Sequence, residues 1–207
     1  MLWIVITSPS FTDGEDFFIR RLLSHGADLV HLRKPEASEE ACAALLESLT
    51  EQDRSRIVIH DFFELAVPYG LYGIHLNSRR DTIPQGYTGN VSRSCHSLEE
   101  VGLWKPQCSH VFLSPVFDSV SKQGYMSAFR EETLAKAAAE GIIDGKVIAL
   151  GGVTPKRIDR LRAIGFGGAA MLGHISALAR LPEQLQSERL KEIDVLFHPD
   201  TSTADRR

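Results

Sequence analysis

Short apolar runs alternate along the chain with segments in which apolar residues recur every three or four positions. The runs are apolar throughout, as expected of strands covered on both faces, and the spaced segments are typical of amphipathic helices. The runs predict strands at residues 2–7, 28–32, 56–59, 73–76, 91–95, 110–113, 146–150 and 168–171. Helical spacing follows at residues 13–25, 41–49, 62–67, 97–104, 130–140, 155–164 and from 173 onward. The pattern therefore predicts βα units with parallel strands.

Eight such strands favour a (βα)₈ TIM barrel as one domain over residues 1–183. An open doubly wound sheet is the main alternative. The turn after the first strand reads TSPSFTDG, however, and lacks the G-x-G-x-x-G pattern of dinucleotide-binding sheets. Residues 184–207 are predicted to form a C-terminal helix and a polar tail, and we expect the tail to be disordered.

Composition narrows the class of protein. The 207 residues are 43% hydrophobic and 24% charged with a net charge of −4, which is typical of a soluble globular protein and predicts neither a nucleic-acid nor a membrane partner. The apolar start lacks the charged region of a signal peptide and is interpreted as the first strand. Three cysteines without metal or redox spacing fit a reducing compartment, so we expect a cytoplasmic protein.

Glycines follow the last two predicted strands. Gly151 and Gly152 come after the seventh strand, and Gly173 and His174 come after the eighth. In (βα)₈ barrels the loops at these two places commonly bind phosphate, because exposed N–H groups approach its oxygens. The alternative is that these glycines serve only as tight turns.

Histidines also gather at predicted C-terminal strand ends, namely His31, His60, His75 and His96. Histidine exchanges protons near neutral pH, so this placement suggests acid–base chemistry at the barrel mouth. Each histidine could instead be a hydrogen-bonded structural residue, and His31 could point into the barrel wall. The sequence spacing of the four gives no support to a zinc site built from three of them.

Seven motifs in order resemble the thiamine phosphate synthase and thiazole tautomerase family. They read VHLRKPE, VIHDFFELA, GIHLNSR, SRSCHSLEE, VFLSPVFDSVSK, VIALGGV and GGAAMLGHI, and the resemblance covers roughly residues 2–180. It implies an eight-unit barrel whose small-molecule partner is a hydroxyethyl-thiazole phosphate. The sequence leaves a homodimer open.

Departures from the synthase motifs weaken a synthase interpretation. The synthases resemble one another in a Q-L-R-x-K run, which here reads H-L-R-K-P, so that Arg33 is kept and Pro35 stands at the Lys position. The resemblance implies that Asp61 and Asp81 would hold Mg²⁺ if the protein is a synthase, but Arg79 and Arg80 next to Asp81 would compete with the ion.

The loop motif T-x-T-K of the family is represented by Ser119, Ser121 and Lys122, whose hydroxyl and ammonium groups suit phosphate oxygens. Retention of Lys122 is the best single argument for a synthase.

The run SRSCHSLEE resembles the tautomerase branch, in which the residue matching His96 shuttles a proton. Such a shift needs one group that accepts and donates a proton, and it needs no cofactor. We therefore favour a thiazole tautomerase with His96 as acid and base, with Ser94, His31 and His60 among the substrate-binding residues. The synthase is the first alternative, with catalytic roles for Arg33 and Lys122, and a non-catalytic thiazole phosphate-binding regulator is the second.

Overall fold

The computed structural model describes residues 1–117 and 129–199. Eight parallel strands form a closed barrel in chain order, and β1 pairs with β8 through Leu2 and Gly168. The strands are β1 Leu2–Ile6, β2 Leu29–Leu32, β3 Ile57–Ile59, β4 Gly73–Leu76, β5 Asn90–Cys95, β6 His110–Leu113, β7 Val147–Ala149 and β8 Gly168–Met171. The predicted (βα)₈ barrel is confirmed, and closure by the β1–β8 pair excludes the open sheet.

Helices cover the outside of the barrel. They are α1 Glu15–Ser24, α2 Glu39–Ser48, α3 Glu51–Arg54, α4 Leu98–Trp104, α5 Glu131–Ala139, α6 Ile158–Ile164, α7 Gly173–Leu178 and α8 Glu183–Phe197. Single 3₁₀ turns lie at Phe63–Leu65, Lys105–Gln107 and Pro155–Arg157. The helix predicted at 62–67 is thus only one turn, because Pro68 and Gly70 follow it at once. The unpredicted α3 is short and polar, and a capping box between Thr50 and Asp53 starts it.

The start of α4 fixes the end of β5. Ser97 caps the helix by accepting a hydrogen bond from the Glu100 backbone N–H at 3.2 Å. The Glu100 carboxylate accepts from the backbone N–H of His96 at 2.7 Å, one residue before the position that a standard capping box uses. These two bonds hold His96 where the strand turns into the helix.

Alternation along the strands divides the apolar residues into an outer and an inner core. Trp3 faces outward and stacks on Phe197 of α8, with ring centroids 5.7 Å apart, so α8 packs against the barrel wall. The inner core fills the barrel and consists of Ile4, Ile6, Leu29, Val58, Phe112, Ile148 and Ala170.

The described residues include no helix with both the length and the apolar character needed to cross a bilayer. The tail predicted to be disordered lies mostly outside the described residues, which end at residue 199.

Candidate active site

A cavity of about 240 Å³ opens at the end of the barrel where the strands have their carboxyl ends. This mouth cavity is lined by Ile6, Arg33, His60, Asn77, Ser78, Arg79, Ser94, His96, Phe112, Leu150 and Leu172. Active sites of (βα)₈ barrels lie at this end, because the loops that follow the strands converge there. The structure thus brings together four residues predicted from the sequence: Arg33, His60, Ser94 and His96.

Two arginines make the mouth cavity basic. Arg33 follows β2, and its backbone N–H donates to Thr7 Oγ1 at 3.0 Å. Burial lowers the pKa of Arg33, and the positive charge of Arg79 lowers this pKa further, while Asp61 opposes the shift. Two neighbouring guanidinium groups favour an anionic ligand that is able to contact both.

Asn77 orders the loop that carries Arg79. Its side-chain amide donates to the His60 carbonyl at 2.9 Å, and its Oδ1 accepts from the backbone N–H of Arg79 at 2.9 Å. The loop after β4 is therefore tied to the end of β3, and this tie positions the Arg79 side chain at the cavity.

The carboxylates predicted to hold Mg²⁺ do not present a magnesium site in this arrangement. Both oxygens of Asp61 lie 3.1 Å from Nη2 of Arg79, so an arginine occupies the place that a cation would take. Asp81 is exposed and accepts from the Thr82 hydroxyl at 3.0 Å. Neither aspartate lines the mouth cavity or belongs to a group of three close metal-ligating side chains among the described residues.

His96 lines the mouth cavity, and its hydrogen bond to Ser114 determines which ring nitrogen can accept a proton. Its Nδ1 lies 3.0 Å from the Ser114 carbonyl oxygen, which only accepts, so Nδ1 carries the hydrogen. The neutral ring then has its lone pair on Nε2. This arrangement fixes a base of the kind that the tautomerase hypothesis assigns to His96.

Ser94 is linked to a buried chain of hydrogen bonds. The Ser92 hydroxyl donates to the Ile74 carbonyl at 3.2 Å and so accepts from His75 Nδ1–H at 2.9 Å. His75 Nε2 therefore holds a lone pair and accepts from the Ser94 hydroxyl at 2.8 Å. The chain orients Ser94 toward the cavity with its oxygen lone pairs available.

Four histidines form a layer inside the barrel beneath the mouth cavity. This histidine layer consists of His31, His60, His75 and His110, and every member is buried. His31 Nδ1 lies 3.0 Å from His60 Nε2, and the His60 and His75 rings stack at 4.2 Å. Of these four histidines, only His60 lines the mouth cavity. The contact of His31 with substrate stays a prediction.

Burial keeps these four histidines neutral. It lowers the pKa of His60 to about 3, with the charges of Arg33 and Arg79 adding to the shift, and lowers the pKa of His110 to about 4. The pKa of His31 and that of His75 are also well below the usual value, because of burial first and neighbouring histidines second.

The glycine turns border the mouth cavity. Leu150 and Leu172, which line it, directly precede Gly151 and Gly173. Gly151 has a φ of 92°, and a Cβ there would lie 2.8 Å from Pro115, so this glycine is required for the turn itself. Gly152 also has a positive φ, of 61°.

His174 directly follows Gly173, and burial lowers the pKa of its side chain. Phosphate binding at these turns stays a prediction.

Lys34 is held in a buried ion pair and does not line the mouth cavity. Its Nζ contacts both carboxylate oxygens of Glu15, at 2.6 and 2.8 Å, and donates to the Ser8 carbonyl at 2.9 Å. This buried ion pair ties β2 to α1. Ser119, Ser121 and Lys122 lie outside the described residues.

A second cavity, of about 290 Å³, lies between α1 and the α7–α8 segment. Arg21, Arg180 and Ser176 contribute to its wall, and none of the residues predicted for the site does. This second cavity lies between helices outside the barrel, so the mouth cavity is the stronger candidate for the active site.

The fold and the mouth cavity define a (βα)₈-barrel enzyme. Residues 3–175 match the thiamine monophosphate synthase family, and the chain belongs to it. It is thereby an enzyme of thiamine biosynthesis.

Named relatives agree with this assignment. The chain is 28% identical over 170 residues to the thiamine-phosphate synthase of Photorhabdus laumondii, a match that covers 77% of each protein. It is 37% identical to the thiamine phosphate pyrophosphorylase of Bacteroides thetaiotaomicron, whose crystal structure has a TM-score of 0.88 over 97% of this chain and 99% of that one. A Pyrococcus furiosus structure, at 19% identity, supports the fold with a TM-score of 0.74 over 96% of each chain.

Several residues of the site were not predicted from the sequence. Arg79 was interpreted only as a competitor for a metal; it pairs with Asp61 and also lines the cavity. His110 and Ser92 lie early in their strands, where the rule that active sites lie at strand ends gave no signal. Strand alternation could have found both, because His110 has the same parity as the inner-core residue Phe112.

Proposed function

We propose that the protein is a thiamine phosphate synthase, which joins a pyrimidine diphosphate to a thiazole phosphate with release of diphosphate. The observation that carries this proposal is the pair of guanidinium groups, from Arg33 and Arg79, in the wall of the mouth cavity. The names of the relatives support the same activity and favour it over the tautomerase preferred from the sequence.

The chemistry of the reaction gives the arginines a role. A carbon–nitrogen bond forms to the thiazole nitrogen while the bond to the diphosphate oxygen breaks, and the diphosphate leaves with the electron pair. Negative charge therefore grows on the leaving group, and fixed positive charge in a confined cavity stabilises it. Arg33 and Arg79 are placed to supply that charge, and Arg79 can leave Asp61 to do so.

Mg²⁺ is a further expectation for a synthase, and the residues as arranged do not fit it. For Asp61 to bind a metal ion, Arg79 would have to release both carboxylate oxygens. A requirement for Mg²⁺ stays a prediction.

An assay of thiamine phosphate formation by the purified protein tests the proposal, with and without Mg²⁺. Arg33→Gln should lower kcat/KM by on the order of 10²-fold, because it removes a charged contact to the leaving group. Arg189→Gln is the matched control, since Arg189 is exposed on α8 and pairs with Glu192. Absence of product with and without Mg²⁺ would refute the synthase proposal.

A tautomerase is the second candidate, and the geometry of His96 favours it. The hydrogen bond from Nδ1 to the Ser114 carbonyl leaves the lone pair on Nε2, where it can accept a proton. A proton shift by such a base needs no metal ion. Conversion of a thiazole carboxylate phosphate by the protein, in the absence of thiamine phosphate formation, would establish this candidate. Tight thiazole phosphate binding with neither reaction would instead establish the non-catalytic regulator.

A further inference from the structure

The histidine layer contains three imidazoles that converge on one point. His31 lies on β2, His60 follows β3 and His75 lies on β4, so three neighbouring strands each contribute one ring. One ring nitrogen from each lies within 4.8 Å of the other two. In tetrahedral zinc sites with Zn–N bonds of about 2.0–2.1 Å, ligand nitrogens lie about 3.3 Å apart. The stacked His60 and His75 rings would therefore have to rotate out of their stack so that both lone pairs point at one ion.

The layer is short of hydrogen-bond partners in the protein. His31 Nε2 and His110 Nε2 are buried without a partner among the described residues. The four rings share a single hydrogen bond with one another, between His31 and His60. A buried imidazole nitrogen without a partner is costly, so the unpartnered Nε2 of His31 is the one observation of this kind that favours a ligand within the group of His31, His60 and His75.

His75 already has the surroundings of a metal ligand. Its Nδ1–H donates to Ser92, whose hydroxyl donates to the Ile74 carbonyl, so the ring is fixed with its lone pair on Nε2. Histidine ligands of metals are oriented in this way by a hydrogen bond from the second ring nitrogen. The Ser94 hydroxyl, which now contacts Nε2, would turn into the mouth cavity when the metal binds.

We propose that His31, His60 and His75 form a site for a borderline-soft divalent metal ion of the Zn²⁺ type at the floor of the mouth cavity. Three neutral nitrogen ligands suit Zn²⁺, Co²⁺ or Ni²⁺, whereas Mg²⁺ requires oxygen ligands. The low pKa of each of the three rings agrees with this, since neutral imidazole is the form that binds metal. Because His60 also lines the cavity, the ion enters from the mouth and keeps a fourth position for water or for an oxygen of the substrate.

This site is separate from the magnesium expected of a synthase, since it uses none of its aspartates. It is also independent of which thiamine reaction the mouth performs.

The test uses the full-length protein after removal of metals with a chelator. Calorimetric titration with ZnCl₂ should show one ion per chain, and titration with CoCl₂ should give the intense visible absorption of tetrahedral Co²⁺. His31→Gln and His60→Asn are the informative variants, because each removes the imidazole and keeps a polar side chain of similar size, so both variants are expected to fold. Each should weaken Zn²⁺ binding by at least about 100-fold, and Ser92→Ala should weaken it by about 10- to 100-fold.

The matched control is His25→Gln, which removes a histidine at the end of α1 far from the layer and should leave Zn²⁺ affinity unchanged. Circular dichroism verifies that each variant is folded. The proposal is overturned if the intact protein binds no Zn²⁺, or if His60→Asn binds Zn²⁺ and Co²⁺ as tightly and with the same Co²⁺ spectrum as the intact protein.

Discussion

The mouth cavity and the histidine layer beneath it both contain ionisable side chains, yet they treat charge in opposite ways. At the mouth, Arg79 forms an ion pair with Asp61, and the Arg79 side chain is exposed to solvent. In the layer, burial keeps four imidazoles neutral. The difference shows that position at a strand end does not determine the role of a residue. Burial lowers the pKa of a histidine, so that a side chain inside the barrel stays neutral where one at the surface could exchange protons.

The largest expected effect that separates the two regions is on turnover at the mouth. If the second candidate, the tautomerase, is the activity of the mouth, His96→Asn should lower kcat in its assay by about 10²- to 10⁴-fold while ligand binding persists, because it removes acid–base function and keeps a hydrogen-bonding group. The free energy of unfolding should be almost unchanged, since His96 is exposed. A large loss of stability in His96→Asn would mean that His96 has a structural role, like the histidines of the layer, and would contradict the prediction.

The second effect is a loss of stability in acid that originates in the layer. A histidine of the unfolded chain titrates near ~6.5, so above that pH both states are neutral and stability is complete. As the pH falls further, the unfolded chain takes up protons that the folded chain refuses, until the pH reaches about 3 for His60 and about 4 for His110.

Each of these two histidines should therefore remove about 2 kcal/mol of stability at pH 5 relative to pH 7. Urea unfolding of chelator-treated protein at the two pH values measures the loss. His60→Asn should show a loss that is smaller by about 2 kcal/mol, again by linkage. An equal loss in this variant would mean that His60 is not neutral in the fold.

The smallest effect concerns the link between the two regions. Ser92→Ala leaves the buried Nδ1–H of His75 without its acceptor and should lower the free energy of unfolding by about 1–3 kcal/mol. Ser55→Ala is a suitable control, because the Ser55 hydroxyl is exposed and donates only to the nearby Gln52 carbonyl. Equal stability of the two variants in thermal unfolding would show that the Ser92 bond contributes little.

The barrel could be predicted from the sequence, because strands and helices are encoded by patterns of neighbouring residues. Continuous apolar runs predicted the strands, and the β4, β6 and β8 bounds agree with the structure to the residue. The helical spacing at 97–104 agrees with α4, which Ser97 caps, and so placed His96 just before the start of this helix.

The depth of each side chain was not accessible in the same way. Whether His31 points into the barrel depends on strand pairing around a closed sheet, and its approach to His110 joins residues that are distant in the chain. The position of Arg79 depends on a loop held by Asn77, which no periodicity predicts.

The most direct test of the central claim, that the mouth cavity above the histidine layer binds the phosphorylated substrate, is a crystal structure of the protein with bound hydroxyethyl-thiazole phosphate. We predict the ligand in the mouth cavity, with Arg33 and Ser94 in contact with it and its phosphate at the turns of Gly152 and Gly173. A ligand bound instead in the cavity beside Arg21 and Arg180, with the mouth cavity filled only by solvent, would contradict the account.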